Sequence, residues 1–174
     1  MKALTVCAGW AELIFHAQHP KDIENRSWAT SHRGPLLIHA GKSKKEIEYA
    51  RDYCDYIGVS FAEPSIFGAI IGTVDVVGCD RISESRWAVP DHFHWRLKNP
   101  RLFPDPIACN GSLSLWTPSI EVRDKVEEHL RRNTNERSNR PHDQRPQRVP
   151  RPISEETRAF IHHGGQRDGG TGGV

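Results

Sequence analysis

A lysine, a glutamate and an arginine fall within six residues, at Lys21, Glu24 and Arg26, in the stretch HPKDIENRSWATSHRGPLLIHAGKS (residues 19–43). Lys21 and Arg26 are donors of the kind that grip a phosphate or a base carbonyl, and Glu24 can accept from a base amino group. Lys21 with a lowered pKa could also activate water beside Glu24, which is the start of a hydrolytic mechanism. The competing reading is an Arg–Glu ion pair that only pins a helix to a sheet. Trp10 and Trp28 flank the three charges and suit base stacking, whereas Trp95 and Trp116 fit the core. Asn25, Arg33, His39 and Lys42 complete the candidate ligand-binding set. His39 at the end of an apolar run can bond a ligand, carry a proton near neutral pH, or be a satisfied structural residue. Arg33-Gly34 reads as a turn that frees the arginine. Lys44 and Lys45 read as a solvated helix face. His92 and His94 have no carboxylate or cysteine at ligand spacing, so neither a metal nor a cofactor is expected.

These groups must be placed by short elements. Ala3–Val6 predicts a strand. Trp10, Leu13, Ile14 and Ala17 recur at helical spacing and predict a helix ended by Pro20. On a strand after that turn, Glu24 and Arg26 would share one face, with Lys21 at the turn before it. Pro35–Ala40 is a continuous apolar strand. Ser43 and Glu46 have capping-box spacing and open a predicted helix closed at Gly58. Residues 67–77, 93–97 and 111–116 read as strands, the first with a bend or bulge, and a last helix follows Pro118. The fold class expected is α+β, a small β-barrel flanked by helices.

Charge divides the chain. Residues 1–132 hold 17 Lys+Arg and 17 Asp+Glu, whereas residues 133–174 hold seven arginines and five acids. A neutral body argues against a broad phosphate-binding face, so any nucleic-acid site must be a local cluster. The second segment is polar and rich in Arg, Pro and Gly, and it is expected to be a disordered tail. The four cysteines form no CxxC pair, and there is no signal peptide or membrane-length apolar run; a cytoplasmic location with reduced thiols is the expectation. Cys7, Cys79 and Cys109 lie in or beside apolar strands, where a thiol is usually inert.

Residues 1–118 resemble the ASCH (activating-signal-cointegrator homology) domain, a PUA-like β-barrel family. The family motif Gly-x-Lys-x-x-Glu-x-Arg stands here as His19-Pro20-Lys21-Asp22-Ile23-Glu24-Asn25-Arg26, with His19 in place of the glycine. VCAGWAELI, RGPLLIHAGKS, FGAIIGTVDVVGC, HFHWRLKNPRLF and NGSLSLW are similar to its other segments, in order. The resemblance implies a PUA-like domain over residues 1–132 that binds single-stranded RNA or a modified nucleoside or nucleotide in a cleft between the first helix and the barrel. It also implies an alternative. Some small members are amidohydrolases that deacylate N-acetylated cytidine, with Lys21 and Glu24 at the matching catalytic positions. Those members carry threonine where this chain has Glu24, so the hydroxyl nucleophile is missing and binding is ranked above hydrolysis. A protein-interaction adaptor acting through the tail is the third possibility.

Overall fold

The computed structural model describes residues 1–138, with side chains described through Arg132. The elements are β1 (Lys2–Cys7), α1 (Ala8–Leu13), β2 (Ile23–Arg26), β3 (Gly34–Gly41), α2 (Ile47–Tyr56), β4 (Ala69–Asp80), β5 (Phe93–Ala108), β6 (Leu115–Trp116) and α3 (Ile120–Ser138). The strands form one six-stranded half-barrel sheet in the order β2-β5-β4-β3-β1-β6. Only β1 and β3 run parallel among these neighbours, and α1 and β2 lie in the connection that a parallel pair requires. The fold is α+β, as the sequence predicts.

The continuous apolar run of β3 has a physical reason: both faces of the strand are covered. Leu36, Ile38 and Ala40 pack with Leu4, Val6, Val74, Trp95, the α1 residues Ala8 and Ala11, and Ile14 just after α1. Leu37 faces the other way, with Ala3, Ile70, Phe103 and Val126 of α3. A third cluster joins Leu13, Ile23, Cys54, Val59 and Trp87, and it holds α2 beside α1. The sheet bends at register shifts between β4 and β5, near Ile70/Gly72, Thr73/Asp75 and Val76/Gly78.

Several boundaries differ from expectation. Helix α1 ends at Leu13, short of Ala17, because His16 intervenes: its Nδ1 accepts from the amides of Gln18 and His19. The capping box at Ser43 and Glu46 does not form. Glu46 gives its carboxylate to the indole of Trp10, and α2 starts only at Ile47. Gly58, with φ +68°, does close that helix region as expected. Strand β5 runs far past Leu97 despite Pro100, Pro104 and Pro106; Pro104 and Pro106 stand in the stretch between Leu102 and Ile107 that the ladder skips. Strand β6 keeps only Leu115 and Trp116 of the expected 111–116. Ser114 there has φ +57°, outside the extended region. Helix α3 continues to Ser138, past the expected end at Arg132. The predicted disordered tail, apart from residues 133–138, falls outside the described residues.

Gly72 marks a close approach of β4 to the backbone of β5. A β-carbon there would press on the Arg101 carbonyl oxygen and lie 2.7 Å from the Phe15 ring. Because one of the opposing atoms is backbone, Gly72→Ala should cost about 1–3 kcal/mol of stability, against little for the exposed Lys45→Ala. Denaturant unfolding of the two variants checks this; equal midpoints would mean the strands do not approach so closely at this bulge.

Candidate functional site

Strand β2 is an edge strand, paired antiparallel with β5 so that Glu24 faces Trp95 and Arg26 faces Phe93 across the ladder. Alternation puts Glu24 and Arg26 on one face, as the sequence predicts. Lys21 arrives from the preceding loop, whose position is set by a bond from its amide to the Leu13 carbonyl at the end of α1. Its Nζ donates to Glu24 Oε2 at 2.8 Å and to the Ile23 carbonyl. Arg26 Nη2 reaches Glu24 Oε1 at 2.9 Å and donates to the Thr5 carbonyl of β1 at 2.8 Å. Lys21 and Glu24 are 4% and 5% exposed and Arg26 is partly buried, so the core of this ion triad is buried. Burial alone pushes the Glu24 carboxyl up. The Lys21 and Arg26 charges, with the bonds they donate, outweigh burial and hold it below its ordinary value.

The triad forms the floor of a cavity of about 510 Å³ between α1, α2, β1 and β2. Trp10 supplies one wall. Its Nε1 donates to Glu46 Oε2 at 3.0 Å, and its ring meets Tyr49 and Tyr53 at 5.8 Å each, edge to face. Lys21 Nζ lies 5.9 Å from the Trp10 ring centre, within cation–π range. Tyr53 donates its hydroxyl to the Arg86 carbonyl at 2.7 Å; burial pushes that phenol up, so it stays a donor. Asn25 clasps the opposite wall: Nδ2 donates to the Trp87 carbonyl at 2.8 Å and Oδ1 accepts from the Val89 amide at 3.1 Å. His92 and Cys7 complete the lining.

Five of the nine residues expected to bind ligand therefore line one cavity: Trp10, Lys21, Glu24, Asn25 and Arg26. Four lie elsewhere. Trp28 packs edge-on against Trp95 at 4.6 Å and belongs to the core. Arg33 donates to the Thr30 and His32 carbonyls and stabilises its own turn. His39 is buried on the α3 side of the sheet, with Nε2 at 3.2 Å from the Cys109 carbonyl and its ring edge-on to Trp116. Burial holds its pKa down; the bond to Cys109 opposes this and the Lys42 charge adds to it. Lys42 donates to Asn110 Oδ1 at 3.0 Å and anchors a loop. Tyr49, Tyr53, Glu46 and Trp87 were not foreseen as lining. A signal existed: Tyr49 and Tyr53 are four apart and must share a helix face.

The arrangement is poorly suited to acyl transfer. Both Glu24 oxygens hold cations, and its lowered pKa weakens it as a base. The Thr5 hydroxyl accepts from Trp116 Nε1 at 3.2 Å, on the far side of the sheet. Thr30 accepts from the His32 amide within its turn. Among the described residues no three His, Cys, Asp or Glu side chains converge to hold a metal ion, and no helix is long and apolar enough to cross a membrane.

Removing the Glu24 charge strands Lys21 in the interior. Glu24→Gln should cost about 3–5 kcal/mol near neutral pH. Because the folded carboxyl titrates below the unfolded one, its contribution is fully present above about pH 4.5 and is lost as pH falls through the folded value. Urea unfolding of both proteins from pH 7 to pH 3 should show the gap closing toward acid; a gap that widens toward acid would contradict the depressed pKa.

No known family model matches this chain, and no curated protein matches it.

Proposed function

We propose that this chain is an ASCH-like, PUA-like domain whose cavity binds a nucleobase, presented by single-stranded RNA or by a modified nucleoside, without chemical turnover. The observation that carries this reading is the joining of aromatic walls to a buried ion triad in one cavity. Trp10 and Tyr49 are only partly covered and offer ring faces to a flat ligand. Every nucleobase has such a face, and stacking is worth about 1–3 kcal/mol per base. A cavity of about 510 Å³ lies within the range of small-ligand sites. Lys21 has three N–H donors and spends two on Ile23 and Glu24, which leaves one for a base carbonyl. The saturated Glu24 and the missing nucleophile favour binding over hydrolysis.

Calorimetric titration with the four ribonucleosides, N4-acetylcytidine and short RNA tetramers tests this. At least one probe should bind. Trp10→Ala and Tyr49→Ala should each weaken it by about 5- to 150-fold, the equivalent of 1–3 kcal/mol, while Lys44→Ala with Lys45→Ala leaves it unchanged. Equal losses from all variants would mean diffuse electrostatic attachment without a pocket. Turnover of N4-acetylcytidine near about 1 s⁻¹ or faster, abolished by Lys21→Ala, would make the protein a hydrolase.

A further inference from the structure

The charges around the cavity carry a finer statement about its ligand. Four ionised side chains line it: Lys21 and Arg26 against Glu24 and Glu46. The two cations are held by the protein, with one Lys21 proton and the Arg26 Nε left without a protein acceptor. Lys21 holds Glu24 and a carbonyl; Arg26 holds Glu24 and the Thr5 carbonyl. The triad alone would be net positive and would attract an anion. Glu46 cancels that charge from the rim.

Glu46 is oriented to do so. Its Oε2 is fixed by Trp10 Nε1, and its Oε1 accepts no bond from any described residue, so one oxygen stays free as an acceptor at the entrance. Further acids lie on α2 outside the lining of the cavity. Glu48, Asp52 and Asp55 are exposed on α2, and the one cation of that helix, Arg51, is paired with Glu63. A phosphate at this entrance would meet the Glu46 carboxylate, and like-charge placement at a binding site is a means of rejection.

We infer that Glu46 is a specificity-determining residue: it makes the cavity select an uncharged nucleobase or nucleoside, offers an acceptor to a base N–H or ribose hydroxyl, and excludes phosphate from the entrance. This rests on the nucleobase reading above and sharpens it. In an RNA ligand, the backbone must then pass outside the α2 rim while one base enters.

Glu46→Gln separates the two roles of the residue, because the amide oxygen still accepts from Trp10 while the charge is gone. The probes are adenosine, cytidine, uridine, guanosine and N4-acetylcytidine, each against its 5′-monophosphate, by calorimetry at low and high salt. The native protein should bind the nucleoside about tenfold more tightly than the monophosphate, and Glu46→Gln should shrink that ratio severalfold, most at low salt. Glu46→Ala should weaken both ligands, since Trp10 is released too. A native protein that prefers the monophosphate, or a ratio unmoved by Glu46→Gln while the nucleoside binds, overturns the role of Glu46 and leaves the nucleobase cavity standing. Failure of every one of these probes to bind overturns this specificity, and failure of the RNA tetramers as well overturns the nucleobase reading. Unchanged melting temperatures show that the variants are folded.

Discussion

A carboxylate 5% exposed must be matched by positive charge, and Glu24 is matched twice. That requirement organises this part of the molecule. Lys21 brings the end of α1 to β2, because its own amide is held by Leu13. Arg26 brings β2 to β1 through the Thr5 carbonyl, across a sheet in which β2 and β1 are not neighbours. A two-residue ion pair could not span these elements. The triad therefore does what the ion-pair reading of the sequence anticipated and, in the same place, forms the cavity floor. The structural and functional readings of Lys21, Glu24 and Arg26 are not exclusive.

How much of this could be read from the sequence depends on whether the signal was local. The shared face of Glu24 and Arg26 follows from strand alternation, and the apolar run of β3 announces a strand. The α+β class and Gly58 as the close of α2 were also legible. Errors arose where a distant partner competed for a side chain. Ser43 and Glu46 have capping-box spacing, yet Trp10, thirty-six residues away, takes the glutamate. His39 and Lys42 looked like ligand groups because they stand at and just beyond the end of an apolar run, but the strand points His39 to the opposite face. The expected strand 93–97 stopped short of β5's full length, in which a bulge accommodates Pro104 and Pro106 because its residues need no ladder donors. Tyr49 and Tyr53 carried a readable i, i+4 pairing, but nothing local revealed that α1 would bring Trp10 against them.

The cavity's polar groups are largely committed to the protein. Trp10 gives its N–H to Glu46, Tyr53 its hydroxyl to Arg86, Asn25 both ends of its amide to the 87–89 loop, and Arg26 its Nη2 to Glu24 and Thr5. Such bonds lock rotamers before any ligand arrives and so reduce the ordering cost of binding. They also limit what a ligand can be. With most donors and acceptors engaged, the affinity of the proposed nucleobase site would come chiefly from contact with aromatic faces. On the proposed reading, discrimination would fall to the atoms left over, among them the third Lys21 proton, the Arg26 Nε and the second Glu46 oxygen. A catalytic site needs the opposite allocation, with a base or nucleophile left unsatisfied until substrate enters. In this chain both Glu24 oxygens are already held by Lys21 and Arg26.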